Sequence, residues 1–291
     1  MAEIRVTAPA PPDELPCVTT DLKAKAELFH SLHTAAHRPL ILPNAWDAAG
    51  ARIVEETGAT AIATTSSGVA WSLGAADGNH ADRDEVVRSV ARMTAAVGVP
   101  VSADIEGGYA ADTDGVAETV RRVLAAGAVG INIEDSYAGG PHPLRPVADQ
   151  ASRIAAAREA ADEAGVPLFI HARIDTLLRQ AGGIGDTLDR AAAYLAAGAD
   201  GIFVPGTTDP GVIAELAAAI PAPLGILTGP GAPPVTALAQ AGAARISVGG
   251  AIAEAAYALV RRAAREVLST GTYEELSGAL GYAELNALMR G

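Results

Sequence analysis

The chain has 291 residues, of which 49% are apolar and 19% charged, with a formal net charge of −13 and one cysteine, Cys17. A folded monomer of this length buries about 70–75% of its extended surface, enough for one large core or two small ones. The acidic balance excludes a general nucleic-acid binder, which needs a basic face. The lone cysteine excludes an internal disulfide and a zinc–cysteine cluster.

Residues 1–25 read as an N-terminal arm. Met1–Asp13 carries prolines and no apolar leader core. No run reaches the ~20 apolar residues of a membrane span. The expectation is a cytoplasmic protein with no membrane partner. Aromatic residues are only 4% of the chain, so Ala, Leu, Val and Ile must fill its core.

From residue 26 to 268, short apolar runs alternate with Ala-rich stretches of helical period. The runs predict strands at Leu40–Leu42, Ala61–Thr64, Val101–Ala103, Gly130–Ile133, Leu168–Ala172, Gly201–Val204, Leu224–Leu227 and Arg245–Val248. Helices are predicted at Ala48–Thr57, Arg83–Ala96, Val116–Ala126, Gln150–Ala164, Thr187–Ala197, Pro210–Ala219, Pro234–Ala241 and Ala251–Leu268. A helical tail, 269–291, follows. Five helices end at a glycine (Gly58, Gly127, Gly165, Gly198 and Gly242), which suits a left-handed C-cap. Eight β-then-α units predict an α/β protein with a closed parallel (β/α)8 barrel. The rival is an open doubly wound sheet, but no Gly-x-Gly-x-x-Gly follows the first strand.

Barrel chemistry sits at the C-terminal ends of the strands. That rule selects Asn44, Trp46 and Asp47 after the first strand, and Thr65 to Gly68 after the second. Asp104 and Glu106 follow from the third, Glu134 and Asp135 from the fourth, and His171, Arg173 and Asp175 from the fifth. Alternation along an extended segment puts Asp104 and Glu106 on one side, with Glu134 a strand away and Asp77 within reach. Carboxylates that close resist common ionisation, and a divalent cation, Mg2+ or Mn2+, resolves the conflict. Helix capping or pairing with arginines is the alternative role for these acids. Arg173 suits a small anionic carboxylate, because a guanidinium grips one bidentately; neutralising nearby acids is its other role. Ser67 and Gly68 offer backbone N–H groups, Trp46 a wall, and Asp47 and His171 further contacts. His142 lies in Ser136–Pro146, read either as a lid over the mouth or as a surface loop.

These motifs together resemble the isocitrate lyase/phosphoenolpyruvate mutase superfamily, most closely its short phosphonomutase-like branch. They are Asn44-Ala-Trp-Asp47, Ser67-Gly-Val-Ala-Trp-Ser-Leu-Gly74 with Asp77, Ala103-Asp-Ile-Glu-Gly-Gly-Tyr109, Gly130-Ile-Asn-Ile-Glu-Asp135, Ala172-Arg-Ile-Asp175 and Ser247-Val-Gly-Gly250. The resemblance implies a modified barrel whose C-terminal helix is exchanged between subunits of a homodimer or homotetramer. It implies Mg2+ at Asp77, Asp104, Glu106 and Glu134, several through water. It also implies that Arg173 holds the substrate carboxylate, with Ser67 and Gly68 holding it through backbone.

Two departures bear on the reaction. Glu106 stands where the family has Asp. The segment Ser136–His142 lacks the Lys-x-Cys-Gly-His of isocitrate lyases, and also the lysine and asparagine of phosphonopyruvate-processing members. The expectation is therefore a Mg2+-dependent carbon–carbon lyase acting on a small 2-oxo or 2-hydroxy dicarboxylic acid. Arg173 would be catalytic, with Glu106 and Tyr109 as candidates for proton transfer. The alternatives are a phosphonopyruvate-type P–C hydrolase or mutase, which calls for a cation near the loop such as Arg145, and a non-catalytic ligand-binding barrel.

Overall fold

The computed structural model describes residues 20–34, 38–137 and 142–290. Its centre is a wholly parallel sheet in the order β1-β9-β8-β7-β6-β5-β4-β3-β2. The first barrel position is shared by β1 (Leu40–Leu42), which pairs with β9 (Arg245–Ser247), and β2 (Asn44–Ala45), which pairs with β3 (Ile62–Thr64). Pro43, with no N–H to donate, separates the two pieces. The sheet thus closes into the expected eight-position, TIM-barrel-like ring. The Asn44 side chain bridges the seam: it donates to the Thr64 carbonyl at 2.9 Å and accepts from the Val248 and Gly249 N–H groups at 3.0 and 2.8 Å.

The remaining strands are β4 (Val101–Asp104), β5 (Gly130–Glu134), β6 (Phe169–Arg173), β7 (Gly201–Phe203) and β8 (Leu224–Leu227). The flanking helices are α2 (Ala48–Glu56), α4 (Arg83–Ala96), α5 (Thr113–Ala125), α6 (Val147–Glu163), α7 (Ile184–Ala196), α8 (Pro210–Ala219), α9 (Val235–Gln240) and α10 (Ala251–Ser269). The five junction glycines adopt φ between 68° and 103°, as a left-handed cap requires. Ala, Val, Ile and Leu dominate the core between sheet and helices.

Two helices go beyond the sequence reading. Helix α1 (Thr20–His33) begins within the segment assigned to the arm, and α3 (Ser66–Ser72) follows β3 directly. From α1, Phe29 meets Phe169 edge-on at 5.7 Å, and the His33 ring stacks on Phe169 at 3.7 Å. The helix thereby covers the barrel where Phe169 opens β6, away from the C-terminal mouth. The tail holds a short turn, Glu274–Leu276, and α11 (Tyr282–Arg290), whose Leu288 carbonyl accepts from Arg52 at 2.9 and 3.1 Å.

The barrel interior is polar beneath the mouth. Arg245 is 2% exposed and donates to Asn132 Oδ1 at 3.0 Å. Because arginine only donates, that oxygen is an acceptor, so the His171 Nδ1 beside it at 3.2 Å carries its proton. The His171 ring stacks on Phe203 at 5.5 Å, fully buried. Burial, aided by the Arg245 charge, pulls the His33 imidazole down to about 3 and holds His171 well below the usual histidine range. Both rings are therefore neutral.

Candidate active site

Sheet register builds the centre of the mouth. Glu134 and Arg173 are register partners on β5 and β6, and their side chains meet at 2.6 Å. Arg173 also donates to both oxygens of Asp175, from Nε at 2.7 Å and Nη2 at 3.0 Å. Two of its five N–H groups thus donate to Asp175 while Nη1 is ion-paired with Glu134, which leaves N–H capacity on both terminal nitrogens. Asp175 is fully buried and also accepts from the Ser136 hydroxyl. The clamp fixes the guanidinium with N–H groups to spare, a suitable arrangement for gripping a carboxylate.

Asp104 ends β4, with its N–H donating to Thr64 Oγ1 at 2.8 Å. Burial raises its carboxyl above the usual range while Arg173 pulls the other way. Burial pushes Glu134 up to about 8 against the same pull. Asp77 is exposed in the loop between α3 and α4, and its charge is felt by Asp104, Glu106 and Tyr109.

Glu106 departs from expectation. The extended backbone stops at Asp104, and Glu106 and Tyr109 take left-handed φ values of 49° and 50° around Gly108 at 95°. Strict alternation therefore fails at Glu106, although its carboxyl still feels the charges of Asp104 and Asp77. Its carboxylate accepts from Tyr109 Oη at 2.8 Å and from the Asn79 N–H, while its own N–H donates to Asp104 Oδ1 at 3.1 Å. Burial pushes the Glu106 carboxyl up to about 7. Burial, and then the charges of Glu106 and Asp104, raise the Tyr109 phenol, so it stays a donor. Left-handed non-glycine residues of this kind hold strain that surrounding contacts must sustain.

Other expected contacts fall elsewhere. Asp47 caps α2, accepting from Gly50 N–H at 2.6 Å, which is the helix-capping alternative for an acid. His171 lies inside the barrel below the mouth rather than in it. Exposed His142 lines a separate cavity of about 490 Å³ with Gln180 and Arg190, and residues 138–141 of the expected lid fall outside the described residues. Asp135, next to Glu134, turns the opposite way: it accepts from Arg190, Tyr194 Oη and Asp175 N–H at 3.0, 2.9 and 2.9 Å.

Ser67 and Gly68 lie in the first turn of α3, where no side-chain cap meets the free N–H groups. A Cβ on Gly68 would stand 2.8 Å from both Thr65 Cγ2 and Trp46 Cβ, so Trp46 packs directly on this turn. The sequence reading left Asn79 out of the site; its only signal is its place in the loop bearing Asp77.

The donor set bears on a metal. Among the described residues, no three His, Cys, Asp or Glu side chains stand together as a direct-ligand cluster. Asp104 nevertheless feels the charge of Asp77, and Glu134 those of Asp104 and Glu106, so these carboxylates offer hard oxygen donors of one sign, a set that fits a divalent cation held through water.

These features define a class: a parallel (β/α)8-type barrel with an acidic mouth and a clamped arginine. The chain belongs to the isocitrate lyase/phosphoenolpyruvate mutase superfamily, and the phosphoenolpyruvate phosphomutase family model matches residues 29–268. The uncharacterized protein Rv1998c of Mycobacterium tuberculosis is 40% identical over 260 residues, 89% of this chain and 95% of that one. A Burkholderia cenocepacia J2315 crystal structure, provisionally described as a lyase/mutase, is 38% identical with a TM-score of 0.88; the match covers 94% of this chain and 98% of that one. A second from the same organism, provisionally a phosphonomutase, is 39% identical with a TM-score of 0.78, covering 86% and 100%. Superfamily chemistry is lyase and mutase chemistry on small carboxylates, typically with a divalent metal. The comparisons stand nearer to the phosphorus–carbon alternative than to the carbon–carbon reading drawn from Ser136–His142.

Proposed function

We propose that the protein is an enzyme that breaks or moves the bond to C3 of a small 2-oxo acid, and that this is the P–C bond of a phosphonopyruvate-type substrate. The observation that carries the reading is Arg173, held by Asp175 and Glu134 with N–H groups left over on its terminal nitrogens. Those groups grip the substrate carboxylate and orient the 2-oxo group toward Asp104. The buried setting strengthens this contact, because the guanidinium is already desolvated and fixed. A Mg2+ held through water by Asp77, Asp104, Glu106 and Glu134 would supply electrostatic stabilisation of the developing enolate oxygen.

Cleavage leaves the bonding electron pair on the three-carbon fragment as an enolate. In the hydrolase form water takes the phosphoryl group and C3 takes a proton; in the mutase form the enolate oxygen takes the phosphoryl group. The Tyr109–Glu106 hydrogen bond holds an exchangeable proton that could serve this step. Ser67 and Gly68 support the carboxylate through backbone, with Trp46 behind them.

The second reading is carbon–carbon cleavage of a 2-oxo or 2-hydroxy dicarboxylic acid. The Ser136–His142 segment favours it, because it lacks the lysine and asparagine of phosphonopyruvate-processing members. We also propose a homodimer or homotetramer joined through the C-terminal helix. Support comes from the apolar side chains that α10 and the tail expose, Val260 and Leu268 among them.

The test mixes the protein with phosphonopyruvate, oxaloacetate and substituted malates, with Mg2+ or with EDTA, followed by proton and phosphorus NMR. Mg2+-dependent loss of the phosphonate signal is expected. Turnover confined to the phosphorus-free acids would establish the second reading instead, and no turnover at all would count against both.

A further inference from the structure

A cavity of about 670 Å³ opens beside the mouth, lined by Asn79, Arg83, Tyr109, Ser136, Tyr137 and Arg145 among others. Three of these belong to the site already described. Asn79 and Tyr109 hold the Glu106 carboxylate, and Ser136 donates to Asp175, the clamp of Arg173. The chamber therefore adjoins residues that position the Arg173 site.

Its cations are Arg83 and Arg145, of which Arg145 is the more buried. The side chain is 11% exposed, although it carries a permanent charge. It lies over the Tyr137 ring, 4.5 Å from the centroid, and Nη2 faces the Gly107 backbone, 3.7 Å from where a Cβ there would stand. Its acidic partner is Asp149, at 3.1 Å from Nη1, but Asp149 also serves Arg153 at 3.3 Å. One carboxylate thus faces two guanidiniums. Arg145 Nε is buried with no hydrogen-bond partner among the described residues. A buried guanidinium with an unmet N–H and half a counter-charge is costly unless something else pairs with it.

The other charges lining the chamber are already engaged. Asp82 caps α4 through the Asp84 and Glu85 N–H groups. Asp84 pairs with Arg83 at 3.4 Å and with Arg122 at 2.9 Å. Neither carboxylate answers Arg145.

We propose that this chamber is a second anion subsite, in which Arg145 binds the distal oxyanion of a ligand whose 2-oxo carboxylate end is held by Arg173. This rests on the 2-oxo acid reading above and adds to it the residue that selects the far end of the substrate. The distal group is a phosphonate or a carboxylate, since either accepts from a guanidinium. The stack on Tyr137 holds the guanidinium plane in place for that contact.

Calorimetric titration in Mg2+ tests the proposal with four probes. Oxalate has no distal group. 2-Oxoglutarate and its methyl-terminated counterpart 5-methyl-2-oxohexanoate share a shape and differ in distal charge. Sulfopyruvate presents a phosphonate-like anion that carries no P–C bond. In Arg145→Met, oxalate and the methyl-terminated acid should bind as to the parent protein. At least one distal-anion probe should weaken about 10- to 100-fold, and Arg145→Lys should restore part of the loss. Weakening of the dicarboxylate alone identifies a carboxylate subsite, and weakening of the sulfonate alone a phosphonate-type one. Equal weakening of oxalate would make Arg145 structural, and unchanged binding of both distal anions would remove it from recognition; either overturns the proposal. Failure of oxalate and every 2-oxo acid to bind the parent protein would instead overturn the underlying functional reading.

Discussion

Glu134 and Asp135 are neighbours in sequence with opposite duties, and replacing Asp135 with Asn separates them. The Asp135 carboxylate is fully buried and accepts three hydrogen bonds, two of them on Oδ2 from Arg190 and Tyr194. An amide of the same shape has one acceptor oxygen, so its NH2 must face at least one of these donors. It also leaves Arg190, which is 14% exposed, without its carboxylate. Breaking a buried ion pair by removing one partner costs about 3–5 kcal/mol, and we expect Asp135→Asn to fall in that range. Urea denaturation of the single variants, Arg190→Met and the double variant forms a cycle, with an expected coupling of about 2 kcal/mol. A loss below about 1 kcal/mol for Asp135→Asn, or additive single effects, would refute the outward-facing role of this carboxylate.

Other expectations follow from the same geometry. His33 is held neutral in the fold with its value lowered to about 3, so the unfolded chain binds its proton first as pH falls below about 6.5. Stability that is full above that point should fall by about 1.4 kcal/mol per pH unit toward pH 3 from this residue alone; His33→Leu should flatten the acid limb in denaturation at stepped pH, and an unchanged slope would contradict a buried neutral ring. A Cβ at Gly225 would stand 2.2 Å from His171 Cε1. Gly225→Ala should therefore cost about 1–3 kcal/mol through overpacking, relieved in a double variant with His171→Ala; thermal unfolding checks both. Phenylalanine at Tyr109 removes the hydroxyl that Glu106 accepts from. Tyr109→Phe should lower kcat more than it raises KM, and a pure KM effect would place Tyr109 in binding alone.

Most of the barrel was legible because its signals are local. β-branched runs, Ala-rich amphipathic stretches and a glycine past five of the helices placed every barrel strand except the two-residue β2 within about two residues. Helix α3 was missed because its seven residues are too short to show a period. Helix α1 was missed, in part because His33, which is buried, reads as polar. Asp47 carried a legible signal, an aspartate just before an Ala-rich helix, yet its place after the first strand suggested a ligand contact. The Glu134–Arg173 pair depends on strand register and the Asp135 network on helix placement, neither of which one segment encodes. The side to which Glu106 turns was not legible for a more local reason: the backbone goes left-handed at Glu106 itself, just beyond β4, and again at Gly108 and Tyr109, which ends the alternation the prediction relied on.

The central claim is that Arg173, with its carboxylate neighbours, holds a small 2-oxo carboxylate beside a divalent cation. Titration of oxalate into the parent protein and Arg173→Met, each with Mg2+ and with EDTA, tests it without requiring turnover. The account predicts oxalate binding to the parent only with Mg2+, and a loss of about 100-fold or more in Arg173→Met. Oxalate affinity unchanged by removing either the guanidinium or the metal would contradict it.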